Sequence, residues 1–365
     1  MKTGLNHAVR VTVAALSIVL GLNAAEPARA QCPGDLTGNG LVSGGDLGLL
    51  LAAWASDGAD QPGSDMNADG LVNGADLALL LGAWGPCVGT PSWATLLEAE
   101  PNPAVITNPT LRAAIDATGL AWRVRDNASQ IEMVLIPPGS FQMGCSSSVQ
   151  HPCDADEYPV HTVSITQPFY LGRFEVTQAQ WQARTGLNPS SFQSPSPEVP
   201  LSLVPLRPVD SVSWDAALEF CTQIGARLPT EAEWEFACRG GTTTAFHGFA
   251  GFPAGTSQDS LVSQIAWFNL EGGLQTRPVG GKLGNGFGLH DMIGNVWEWT
   301  NDRYDAVYYS SAPPSNPPGP SEGSERVIRG ADWINRSDNC RTSNRNKIVP
   351  HFVSNGLGFR TARTP

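Results

Sequence analysis

The stretch GNGFGLHDMIGNVWEWTND, residues 284–302, combines repeated glycines with the carboxylates of Asp291 and Glu298 and the indoles of Trp297 and Trp299. It follows neither the helical nor the strand period. Glycine turns free backbone carbonyls to point inward, and two carboxylates beside them make a loop that suits a hard cation. The plainer reading of the same residues is a solvated turn.

Upstream, RLPTEAEWEFACRGG (227–241) predicts a helix that a Thr230/Glu233 capping box starts and Gly240 stops. SWDAALEFCTQIG (213–225) places Ala217, Phe220, Cys221 and Ile224 at helical spacing, so Cys221 faces inward as a buried thiol. IEMVLIPPGSFQMG (131–144) reads as two strands broken at Pro-Pro-Gly, and HTVSITQPFYLGRFEVT (161–177) alternates as strands do. Cys145 and Cys153 flank a short polar loop and suit a local disulfide. With 39 Gly, 29 Pro, 11 Trp and only 15% charged residues, the chain is loop-rich and globular.

Further out, GDLTGNGLVSGGDLGLLLAAWAS (34–56) repeats as SDMNADGLVNGADLALLLGAWGP (64–86), each a loop followed by an apolar helix. Both loops carry oxygen donors at calcium-loop spacing. These are Asp35, Thr37, Asn39, Ser43 and Asp46 in the first, and Asp65, Asn67, Asp69, Asn73 and Asp76 in the second. The carbonyls of Leu41 and Leu71 fill the main-chain position. Cys32 and Cys87 bracket the pair, which reads as a disulfide clasp.

At the N-terminus, Lys2 and Arg10 precede the uncharged run VTVAALSIVLGLNAA and the small-residue pattern ARA ending at Ala30, a secretory signal peptide. No later stretch is long and apolar enough to span a bilayer. The expectation is a secreted, extracytoplasmic protein, free or associated with the cell surface. Seven cysteines then read first as disulfides, and the odd count leaves one over. A net charge of -12 argues against nucleic acid and suits divalent cations. The domains read as a signal peptide (1–30), a calcium-binding repeat module (31–87), a linker (88–120) and a large domain (121–365).

The repeat pair resembles a dockerin, which implies a small all-α module that docks on a cohesin-like or cell-surface scaffold protein. The large domain resembles the formylglycine-generating enzyme family, also called sulfatase-modifying factors. The resemblance rests on MVLIPPGSFQMG (133–144), EYPVHTV (157–163), FEVTQAQW (174–181), RPVDSVSWDAALEFC (207–221), RLPTEAEWEFACRGG, GNGFGLHDMIGNVWEWTND, RVIRGADW (326–333) and GLGFR (356–360). It implies an α+β, C-type-lectin-like fold with little regular secondary structure. It also places calcium on Asp291 and Glu298, with the carbonyls of Gly294 and Val296. The family's other calcium loop would fall near SQIAWFNLEGGLQTRPVG (263–280), which is shortened and lacks its acidic pair.

Oxidase members of this family carry two redox cysteines after a Gly-Gly-Ser triplet, and such paired thiolates bind copper(I), a soft ion that prefers sulfur. Here the triplet is Gly330-Ala331-Asp332. Aligned on GADW, the two positions hold Asn335 and Cys340; aligned on Arg341 and Arg345, both are empty. In the second register Cys340 lies two residues from the family's structural half-cystine and, on a strand, faces the same side. The resemblance therefore implies Cys238–Cys340, with Cys221 left over because its usual partner position is Thr361.

No residue is assigned a catalytic role. The leading reading is a scaffold-docked binding or accessory module of the family, with calcium as cofactor and an unknown ligand. An active formylglycine-generating oxidase, which alone would need copper, and a lectin-fold ligand-binding receptor are the alternatives.

Overall fold

The computed structural model describes residues 32–38, 41–269 and 273–365. The signal peptide and Asn39 of the first loop lie outside the described residues.

The repeats form β1 (Leu41–Val42), α1 (Gly44–Ala52), α2 (Gly74–Gly82) and β2 (Gly85–Pro86), with β1 and β2 pairing antiparallel. Each helix starts because an acidic residue at its third position reaches back. Asp46 accepts from the Ser43 N–H and Asp76 from the Asn73 N–H, both at 2.8 Å, which satisfies donors that helix starts leave open. Val42, Leu50, Ala53, Val72 and Leu80 make the small core. The expected Cys32–Cys87 disulfide closes it. The dockerin resemblance implies an all-helical module; the described residues of the module are not all helical, because β1 and β2 pair as a short ladder.

The second core belongs to β3 (Ala94–Glu98), α3 (Pro109–Asp116), β4 (Arg123–Asp126), β5 (Glu132–Ile136), β6 (Gly139–Met143), β7 (His161–Ile165), β8 (Phe169–Gly172), α4 (Gln178–Thr185), α5 (Trp214–Gln223), α6 (Glu231–Arg239), β9 (Trp297–Arg303), β10 (Arg326–Arg329), β11 (Arg345–Ile348), β12 (Leu357–Gly358) and β13 (Ala362–Arg363). One sheet runs β13-β8-β5-β4-β3, the other β11-β10-β9-β12, and β6 pairs with β7. Residues 133–136 and all of β8 are buried, as expected of strands covered on both faces. The helix α6 begins at Thr230, with its capping box formed, and ends at Gly240, whose φ of 55° is the left-handed cap geometry. It packs against β6, β7, β9 and β10.

The segment 88–120, read as a linker, is structural. β3 pairs with β4 at the sheet edge, and Ile106 and Ile115 are fully buried in the large core. Scattered prolines and weak periodicity conceal an edge strand, because one face of such a strand stays wet.

Among the described residues, 240–296 contains no α-helix or strand. Buried ion pairs tie α6 and the turn at 154–157 to the C-terminal segments. Glu231 takes two 2.8 Å hydrogen bonds from Arg345, Glu157 takes one of 2.6 Å from Arg341, and Glu235 accepts from both Arg239 and Arg329.

Candidate functional site

Three clusters bear on function, beginning with the repeat loops. In the first, Thr37 donates its N–H and hydroxyl to Asp46, both at 2.9 Å, and its hydroxyl also to Asp35 at 3.2 Å. Ser43 donates its hydroxyl to Asp46 at 3.2 Å. In the second, Asp65 accepts from the N–H groups of Asp69 and Gly70, Asn67 donates to Asp69, and Asn73 donates to the Leu71 carbonyl. Asp76 accepts from the Met66 and Asn67 N–H groups. The fold thus brings the described loop side chains together. Burial raises the cost of ionising Asp46 and Asp76, but the donated hydrogen bonds outweigh it and hold both carboxyls below the ordinary range. Hard oxygens of this number and kind fit calcium. Among the described residues, no three His, Cys, Asp or Glu side chains form a ready metal cage by themselves; the loops' donor sets also include amide, hydroxyl and main-chain oxygens.

The second cluster is the turn quoted first. Asp291, Gly294 and Asn295 have φ of 53°, 80° and 64°, a left-handed run. Gly294 is required there, since a Cβ would fall 2.5 Å from the Trp267 carbonyl oxygen. The turn aims Asp291 inward, where Oδ2 accepts the Gly280 N–H at 2.6 Å and Oδ1 is buried without a partner. Burial pushes this carboxyl up to about 6, against the Gly280 N–H and the positive charges of Arg360 and Lys282.

Glu298, on β9, accepts from Arg360 at 2.6 and 2.7 Å and from the Trp234 indole at 2.8 Å. Burial raises its carboxyl while Arg360 opposes. Sequence reasoning missed a third carboxylate, Glu175, which accepts from Asn295 at 2.6 Å and from the Val296 N–H at 3.2 Å. Burial, then the charges of Asp291 and Glu298, push it well up. The signal that could have found it is an acid set between the apolar side chains of Phe174 and Val176.

Three buried carboxylates thus face one guanidinium, and a hard cation would offset the excess. The orphaned Asp291 oxygen fits such an ion. Glu298 already has both oxygens hydrogen-bonded.

The third cluster is the segment where the family's redox pair would lie. Asp332 accepts from the N–H groups of Ile334 and Asn335 at 3.2 and 3.1 Å, and Asn335 accepts from the Asp332 N–H at 3.2 Å. These side chains are consumed in closing a turn. The expected Cys145–Cys153 disulfide forms, but Cys238–Cys340 does not, and Cys221, Cys238 and Cys340 are buried outside any disulfide. The reason is local. The expectation placed Cys340 on a strand, whereas residues 337–340 form a turn closed by a 3.0 Å hydrogen bond from the Cys340 N–H to the Ser337 carbonyl. Cys238 Sγ instead lies 3.9 Å from the Met292 carbonyl oxygen. Burial pushes its thiol up to about 12 and raises that of Cys221 too. Copper(I) binding here needs a pair of thiolates, and the positions that would hold them carry Asn335, whose side chain closes the turn, and the single buried Cys340, so the pair is lacking.

An α+β domain of three small sheets, short helices and long loops around this tryptophan-rich turn defines a class of protein. The chain belongs to the sulfatase-modifying factor family: the Sulfatase-modifying factor enzyme 1-like domain matches residues 119–365. It is 31% identical over 313 residues to the formylglycine-generating enzyme of Streptomyces coelicolor, covering 72% of this chain and 95% of that protein. It is 28% identical to a Bos taurus protein named inactive C-alpha-formylglycine-generating enzyme 2, covering 66% of this chain and 91% of that one. Among solved structures, Treponema denticola variable protein 1 superposes with a TM-score of 0.56 at 30% identity, over 64% of this chain and 95% of that one.

Proposed function

We propose that this chain is an exported, calcium-binding member of the family whose large domain binds a ligand rather than oxidising cysteine. The observation that carries this reading is the state of the cysteines: four form two disulfides and the other three are buried, while Asp332 and Asn335 close a turn where the oxidase pair would begin. Calcium sits in the two repeat loops and beside Asp291, Gly294, Val296 and Glu298, with Glu175 added to that set.

The repeat pair acts as a dockerin-like anchor to a cohesin-like or cell-surface scaffold. Leu51 and Trp54 on the first repeat, and their counterparts Leu81 and Trp84 on the second, are between 43% and 51% exposed. Paired exposed apolar side chains of this kind support a docking face. Among the described residues no helix is long and apolar enough to cross a membrane.

The oxidase reading keeps one specific argument, the 31% identity to a formylglycine-generating enzyme. The test is direct. Copper(I)-loaded, reduced protein is incubated with a sulfatase-motif peptide carrying cysteine, and mass spectrometry looks for the aldehyde. No aldehyde is expected; turnover that disappears in Cys340→Ser would overturn the reading.

A further inference from the structure

Buried arginines in this protein come in two kinds. Arg239, Arg341, Arg345 and Arg360 each lie 2.6 to 2.8 Å from a buried carboxylate, and Arg329 pairs with Glu235. Arg207 and Arg277 have no ion pair among the described residues, although they are 0% and 8% exposed. Charges so buried are ordinarily matched, because desolvation costs several kcal/mol per ion.

Their hydrogen bonding is equally incomplete. Arg207 spends one nitrogen on Gln275, at 2.8 Å, and leaves Nε and Nη1 buried without partners. Arg277 leaves Nε in the same state, and the Thr276 hydroxyl between Gln275 and Arg277 is a further buried group with no partner. The two strands of chain run together, tied by the 2.9 Å hydrogen bond from the Val279 N–H to the Leu206 carbonyl. The guanidiniums are close enough that Arg277, after burial, is the main influence lowering the Arg207 pKa.

What surrounds them does not replace a counter-ion. Arg207 lies 5.9 Å from the Phe192 ring centre and Arg277 lies 5.3 Å from that of Trp267. Rings offer a quadrupole and no net charge. Asp210 and Glu198 act on Arg207 from beyond ion-pair distance. Asp210 accepts from the Ser191 N–H and the Ser211 hydroxyl on Oδ1 alone; its Oδ2 is buried without a hydrogen-bond partner and stays beyond ion-pair distance of Arg207.

We propose that Arg207 and Arg277 form the cationic wall of a binding site for an oxyanion group, a carboxylate or a sulfate, carried by the ligand of this domain. Guanidiniums present planar forks of donors that match such groups, and the flanking aromatic rings would cover the ligand's apolar part. The inference is independent of whether the domain oxidises cysteine, so the peptide assay neither supports nor sinks it.

The test is thermal unfolding of the full chain in sodium sulfate, sodium acetate and sodium chloride at matched ionic strength, for the native protein and for Arg277→Gln. Sulfate or acetate should raise the Tm saturably while chloride does not, and the better of the two identifies the group. In Arg277→Gln the midpoint of that response should rise by about tenfold or more, as expected for losing a charged hydrogen bond. The anion-free Tm of this variant should match or exceed the native one, since an unmatched buried charge has been removed. An equal response to chloride, an unchanged midpoint in Arg277→Gln, or a fall in its anion-free Tm would show that the counter-charge is internal and overturn the proposal. Arg207→Gln, if it folds, should behave like Arg277→Gln.

Discussion

Asp76 in the small module and Glu235 in the large domain are both fully buried carboxylates, yet they are held by different means. Asp76 takes backbone N–H groups from Met66, Asn67 and Asn73, all within ten residues. Glu235 takes side chains, Arg239 four residues away and Arg329 ninety-four away, together with the Gly144 N–H. The repeat builds its acidic sites from groups close together in the chain. In the large domain, by contrast, Glu231, Glu235 and Glu298 are held by arginines from distant parts of the chain.

The sharpest way to test this contrast is to remove a distant partner. Arg329→Met leaves Glu235 buried beside Arg239 alone and strips donors from the Thr342, Ser343 and Asn344 carbonyls. Denaturant unfolding should show the large domain losing about 3–5 kcal/mol. The small module's transition should not move. Comparable losses in both transitions would break the comparison.

The reciprocal change is Cys32→Ser with Cys87→Ser. The disulfide closes a 55-residue separation, and its loss should cost the small module about 2–4 kcal/mol. Circular dichroism of the double variant should report lost module helix with the large-domain transition unchanged.

Next come the two loops within the repeat. The first has carboxylates at Asp35 and Asp46, the second at Asp65, Asp69 and Asp76, and ligand charge tunes calcium affinity. Titration calorimetry should find the second loop tighter. Asp76→Ala should destabilise the module more than Asp46→Ala, each by about 1 kcal/mol from the lost cap before any calcium term is added. Equal sites would remove the distinction.

The smallest effect is pH dependence of opposite sign. Asp46 and Asp76 titrate below their unfolded values when folded. Their contribution is therefore present above the unfolded pKa and lost as pH falls through the folded one. Burial raises Asp210 and Asp332 to about 6. Their folded forms hold protons that the unfolded chain has released, so their contribution is present below roughly pH 4 and lost as pH rises through about 6. In chelator, acidification from pH 7 to 5 should stabilise the large domain slightly and leave the module unmoved. Further acidification should then weaken the module.

Local signals were legible to within a residue or two. Thr230, Glu233 and Gly240 bound α6, the two Pro-Pro-Gly strands are β5 and β6, and Cys145 meets Cys153 across a short loop. Each depends on groups close together in the chain, so residue type and spacing suffice to determine it. Landmark order was enough for the family as well.

Other features depended on which distant groups meet. Ala94–Glu98 is a strand because β4 lies beside it, Glu175 joins the buried acidic cluster because Asn295 and Asp291 converge on it, and Cys340 misses Cys238 because its segment turns. Arg363 reaches Asp126 across 237 residues, and nothing in a one-dimensional pattern marks such a pair or the unmatched guanidiniums of Arg207 and Arg277. The sequence by itself determined caps, turns, repeats and family; tertiary structure alone decided which buried charges would find partners, because burial and proximity are properties of the packed chain.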